Sequence, residues 1–316
     1  LIERTESQPT LKNHRDLADE FRKLSEKYPL HKGVREMFAT ALYNQGFVDQ
    51  SLAGRKAVAD ELRELSQNHP DDKEVRELFA EALVNQAYVD QSVAGRKAVA
   101  DELRHLSEKH PEDEKVRELF ANALLNQGAT DQSLAGTKAV ADELRELSQR
   151  YADDEKVREM FADALYNQGF VDQSLAGKKA VADELRKLSE KYPGDEKVRE
   201  MFAEALYNQG ATDQSLAGRK AVADELRHLS EKYPEDKEVR EQFAKALYNQ
   251  GVTDQSLAGK KAVADELRKL SEKYPGDEKV REMFATALYN QGFVDQSLAG
   301  RKAVADELRE LSQNHP

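Results

Sequence analysis

Apolar residues at Val34, Met37, Phe38, Ala41 and Leu42 follow the i, i+3, i+4, i+7, i+8 spacing of an amphipathic helix. The pattern returns at Val75, Val116, Val157, Val198, Val239 and Val280, each 41 residues after the last. It predicts a short helix, A, over about Val34 to Gln45. Leu52, Ala59, Leu62 and Leu65, with Val58 adjacent, predict the buried side of a longer helix, B, over about Gln50 to His69. Asp49 reads as the N-cap of B. Asp72 and its repeats (Asp113, Asp154, Asp195, Asp236 and Asp277) read as the N-cap of A, worth about 1 kcal/mol each. His31 holds that slot in the first copy, so this helix is expected to start less well. Proline closes B at Pro29, Pro70, Pro111, Pro193, Pro234, Pro275 and Pro316, with Ala152 once in its place.

Glycine recurs in two columns. Gly46, Gly128, Gly169, Gly210, Gly251 and Gly292 are expected just past helix A in the left-handed conformation that closes its last carbonyls. Ala87 breaks that column, and if φ is positive there Ala87→Gly stabilises the chain by roughly 1 kcal/mol. The second column, Gly54 and its repeats, falls inside B, where glycine costs roughly 1 kcal/mol against alanine. With Ser51, Ala53 and Ala57 it predicts a small-residue surface approached closely by another helix.

A fixed period of this length implies stacked helical repeats, each packing on its neighbours. Residues 1–8 read as a tail and residues 9–316 as one all-α solenoid. Within it, residues 9–29 form an N-terminal capping helix, and seven A/B pairs occupy residues 31–316. In the cap, TLKNHRDL (Thr10 to Leu17) replaces the later SLAGRKAV, giving the polar outer face a terminal repeat needs. Val34 to Pro70 is identical to Val280 to Pro316, so the pattern stops after a B helix with no polar cap. A natural fragment of a longer array and a designed consensus array read the same way. Either is expected to self-associate end to end or by domain swapping.

The run ALYNQG (Ala41 to Gly46), then DQS, then Pro70 closing the unit, resembles the tetratricopeptide superfamily. Aligned on the glycine, Phe38 falls at that family's conserved leucine, Ala39 at its small residue, Leu42 at its tyrosine and Ser51 at its small residue on B. Arg35 stands where the family has tryptophan, and Arg55 where it has phenylalanine. The seven residues beyond the family's usual period fall in B before Pro70, close to two full turns. The resemblance implies an elongated tetratricopeptide-like class, a right-handed α-α superhelix whose concave face, lined by A, holds a peptide or partner helix. By position the groove takes Glu36, Thr40, Tyr43, Asn44 and their repeats. The binding residues are then Tyr43, Asn44, Asn85, Asn126, Tyr166, Asn167, Tyr207, Asn208, Tyr248, Asn249, Tyr289 and Asn290. A ladder of amides can read the backbone of an extended peptide; equally, each asparagine can cap its own helix. Beside them Thr40, Glu81, Asn122, Asp163, Glu204, Lys245 and Thr286 form the most variable column, and Glu36 and its repeats make the groove acidic. The expected ligand is a basic or polar protein or peptide.

Composition narrows the function further. A net charge of −12 repels nucleic acid and anionic membranes. No apolar run approaches a membrane span. The absence of cysteine removes disulfides, thiolate metal sites and thiol nucleophiles, and fits a cytoplasmic protein. The seven histidines show no metal-ligand spacing and read as surface residues. The carboxylates, set among Lys and Arg in near-identical copies, read as a salt-bridged solvated face. No catalytic motif, cofactor site or metal site is expected. The leading expectation is a peptide-binding scaffold; a spacer or self-assembling rod without a groove ligand is the alternative.

Overall fold

The computed structural model describes residues 10–314, so the tail at residues 1–8, Pro9 and Pro316 lie outside the described residues. Residues 10–314 form fifteen helices of 17 residues each. The first, α1, is Leu11–Lys27. The A helices are α2 (Lys32–Val48), α4 (Lys73–Val89), α6 (Glu114–Thr130), α8 (Glu155–Val171), α10 (Glu196–Thr212), α12 (Lys237–Thr253) and α14 (Glu278–Val294). The B helices are α3 (Leu52–Asn68), α5 (Val93–Lys109), α7 (Leu134–Arg150), α9 (Leu175–Lys191), α11 (Leu216–Lys232), α13 (Leu257–Lys273) and α15 (Leu298–Asn314). The chain is an all-α stack of two-helix repeats. It divides into two compact units, one up to Ala164 and one from Leu165.

Within each unit, a B helix packs more extensively on the A helix that follows it than on the A helix before it. Successive A helices also touch directly. The core is made by the columns of Leu42 and Leu62, whose members Leu83, Leu103, Leu124, Leu206, Leu226 and Leu247 are fully buried. Each such leucine contributes roughly 1.5–3 kcal/mol by leaving water. Not every expected core residue is inside. Leu52 and its equivalents lie exposed at the start of B, and Met37 is exposed in the first repeat.

Helix A is as long as B because its glycine does not stop it. No glycine has positive φ, and Gly46 lies buried inside the last turn of α2. A Cβ there would sit 2.9 Å from Cγ1 of Val58, so glycine at Gly46 permits the close crossing of A on B. The expectation for Ala87 therefore reverses. Ala87 is a buried helical residue, and Ala87→Gly should cost about 1 kcal/mol in backbone entropy. Gly128→Ala should do the opposite. Its Cβ meets Val140 at 3.3 Å, a contact relieved by a small shift, so urea unfolding should show a gain of up to ~1 kcal/mol. At Gly46 the tighter approach should cancel most of that gain.

The second glycine column also has a different cause. Ser51, and not Asp49, is the N-cap of α3: its Oγ accepts from the Gly54 N–H at 3.1 Å. Asp49 instead caps the end of α2, and its Oδ1 accepts from the Ser51 N–H (2.9 Å) and Oγ–H (2.7 Å). Its carboxylate lies directly over Gly54, where any Cβ would overlap it, and Asp90 over Gly95 and Asp131 over Gly136 repeat the contact. Glycine is required by the chain's own turn. No helix occupies the small-residue surface, since Ala53 and Ala57 are exposed. The A caps are as expected: Asp72 Oδ1 accepts from Val75 N–H at 3.4 Å. His31 starts α2 in the same way, its Nδ1 accepting from Val34 N–H at 3.3 Å.

Candidate ligand-binding face of the A helices

Where A helices touch, the tyrosine of one repeat reaches the next repeat's variable residue and asparagine. The Tyr43 hydroxyl lies beside Asn85 and Glu81. Tyr166 donates its hydroxyl to Glu204 Oε1 at 2.6 Å and also meets Asn208. Burial first, then that carboxylate, pushes the Tyr166 phenol up to about 12. Lys245 Nζ stands 5.9 Å from the ring centroid of Tyr207. Glu81, Glu204 and Lys245 of the variable column thus meet tyrosines of the preceding repeat, while Thr40 and Asn122 of the same column are exposed.

The asparagines are divided in their roles. Asn85, Asn167, Asn208, Asn249 and Asn290 are half-buried, while Asn44 and Asn126 are exposed. Asn126 Nδ2 donates to Asn122 Oδ1 at 2.7 Å on its own helix. Tyr248 is half-buried and Tyr289 is exposed. The expected acidity of this face is offset in place. Glu36 pairs with Lys32 (3.2 Å), Glu77 with Lys73 (3.4 Å), Glu118 with Lys156 (2.9 Å) and Glu241 with Lys237 (3.3 Å). Glu200 has burial and the charges of Asp236, Glu196 and Glu238 around it, which raise its carboxyl above the ordinary range.

The carboxylates and arginines away from this face are not all solvated. Arg76 Nε donates to Asp113 Oδ2 at 2.9 Å, both side chains almost wholly buried, and Arg76 also donates to the Pro70 carbonyl at 3.0 Å. Arg35 with Asp72, Arg117 with Asp154, Arg199 with Asp236 and Arg240 with Asp277 repeat the pair. Each aspartate caps its own A helix with one oxygen and receives the preceding repeat's arginine with the other. A second row joins successive B helices: Arg104 Nε and NH2 grip Glu143 at 2.5 and 2.8 Å, beside an open hollow lined by Phe120 and Glu146. A third uses Arg55, which donates to the Asp49 carbonyl at 2.7 Å and, across the repeat, to the Asn85 carbonyl at 2.8 Å. The sequence carried one signal for this. Arg35 and its repeats fall beside Val34 and Phe38, on the apolar arc of a helix.

Two histidines belong to the same interface. Tyr151 lies under the Arg117 guanidinium, 4.1 Å from the ring centroid, and Tyr274 under Arg240 at 4.0 Å. His69 and His110 occupy that column in earlier repeats and are half-buried, which corrects their reading as surface residues. Burial, then the Arg76 charge, holds the His110 imidazole below the ordinary histidine value. Its protonation therefore favours the unfolded chain, so stability is full above about pH 6.5 and falls as the pH drops below it. His110→Tyr should add about 0.5–1 kcal/mol at pH 7 by cation–π stacking and flatten the loss between pH 7 and pH 5 in urea titrations.

No family model and no curated protein matches this chain. It is a helical repeat protein with a 41-residue period. Among the described residues, no helix of this repeat protein is long and apolar enough to cross a membrane.

Proposed function

We propose that this repeat protein is a tetratricopeptide-like scaffold that holds a polar or basic peptide, or a partner protein presenting one, along the A-helix face of a compact unit. The observation that supports this most is the placement of the variable column. Glu81, Glu204 and Lys245 each meet a tyrosine of the preceding repeat. The most variable column among the copies therefore sits beside the row of asparagine amides. The screen is a peptide array read with the wild-type chain and with Asn85, Asn126, Asn208 and Asn249 replaced by alanine. Basic or polar peptides should bind, and the alanine variant should lose about tenfold in affinity, the worth of one or two hydrogen bonds. Preference for acidic peptides, or equal binding by the two chains, rejects the reading.

A second reading, a structural spacer with no groove ligand, is supported by the interlocking itself. Within a unit, the Arg76–Asp113 and Arg104–Glu143 types of ion pair recur from one repeat to the next, which favours a spacer of regular repeats.

A further inference from the structure

The turns that join each A helix to the B helix after it carry little charge. From Asn44 to Gly54, Asn85 to Gly95 and Asn126 to Gly136 the only ionisable residues are Asp49, Asp90 and Asp131. Each is held by its own turn, its Oδ1 accepting from the N–H of Ser51 (2.9 Å), Ser92 (3.0 Å) or Ser133 (3.0 Å). Each also stands at the positive end of a B helix, which offsets its charge. In a chain with 34% charged residues, this edge is the exception.

In the first unit the same turns present apolar side chains and amides. Phe47 is 60% exposed and Tyr88 78%, in the last turns of α2 and α4, two A helices that touch. Tyr43 backs the Phe47 ring, with 6.4 Å between ring centroids. Leu52, Val93 and Leu134 are exposed at the starts of α3, α5 and α7, and so are Gln50, Gln91 and Gln132 in the turns. Nearness to a chain end does not cause this exposure. Phe170, in the middle of the chain and in the same column as Phe47, is 71% exposed.

We propose that the A–B turns of the first unit are a contact edge for a second copy of this chain, centred on Phe47 and Tyr88. Three properties of the edge select that occupant. Two chains of net charge −12 repel over most of their surfaces and meet at least cost where charge is least. A glutamine amide both donates and accepts, so one row of them satisfies an identical row. The apolar groups recur once per repeat, a spacing that a second copy matches by construction. A two-fold axis between the first two turns sets Phe47 of each copy against Tyr88 of the other, so every contact is made twice. This edge does not rest on the peptide-binding reading.

Sedimentation velocity on the full chain, without added peptide, should show a reversible monomer–dimer equilibrium as concentration rises. Phe47→Lys combined with Tyr88→Lys should abolish the dimer, because it sets like charges face to face. The far-ultraviolet circular dichroism of that variant should stay that of the wild type. Leu308→Asp, on α15, should leave the dimer unchanged. The chain has no cysteine, so disulfide trapping reads the register. A mixture of Gln50→Cys and Gln91→Cys chains should cross-link faster than either alone. The proposal is overturned by a chain that stays monomeric, by a dimer that Leu308→Asp dissolves and the lysine pair does not, or by cross-linking no faster in the mixture. A monomer that binds phosphatidylcholine vesicles through Phe47 and Tyr88 overturns it too, and would assign the edge to a lipid surface.

Discussion

Asp113→Ala is expected to destabilise the chain by about 3–5 kcal/mol, because it leaves the Arg76 guanidinium charged and buried without its counter-ion. The side chain of Asp113 is fully buried and that of Arg76 nearly so, leaving little water to take over. The same substitution removes the acceptor for Val116 N–H at the start of α6, which adds about 1 kcal/mol. The bond from Arg76 to the Pro70 carbonyl survives and limits the loss. Two controls separate the causes. Asp113→Asn keeps a capping oxygen and should cost clearly less. Arg76→Leu combined with Asp113→Ser removes the buried charge, retains a cap, and should recover most of the stability. Long repeat arrays need not unfold in one step, so hydrogen exchange of the α6 amides is the proper readout alongside urea unfolding. A loss under 1 kcal/mol for Asp113→Ala would show that the pair is solvated after all.

Leu103→Ala is expected to cost about 2–5 kcal/mol, by lost transfer energy and a cavity that packed neighbours cannot fill. Leu103 is wholly buried in α5, between A helices. Leu308→Ala, the equivalent change in α15, should cost well under half as much, since Leu308 is already partly in water. Stability in such a stack is a sum of repeat and nearest-neighbour terms. The Leu103 variant should therefore lose protection in α4, α5 and α6 first, with little change in α13. Equal losses at the two leucines would mean that the α15 face is covered in solution.

Much of the fold was legible because it is written in local patterns. The 3.6-residue spacing from Val34 to Leu42 announced helix A, and Asp72 announced where it starts. Pro70 marked the end of B to within two residues. The candidate face was legible by position only. Asn85 and Asn126 recur in register, but nothing local says that one lies beside a tyrosine 42 residues earlier and the other bonds Asn122 on its own helix.

The sequence by itself determined the period, the number and kind of helices, and the polar or apolar character of most columns, because propensity, capping and amphipathic spacing act over a few residues. Only the tertiary structure decided which helices pair most closely and why two columns are glycine. It also decided that Arg76 is buried against Asp113. Those outcomes depend on atoms brought together by packing: Val58 onto Gly46, an aspartate folded back over Gly54, and a carboxylate arriving from 37 residues away. A glycine before a turn and an arginine among charges look the same in the sequence whether they face water or a neighbouring helix.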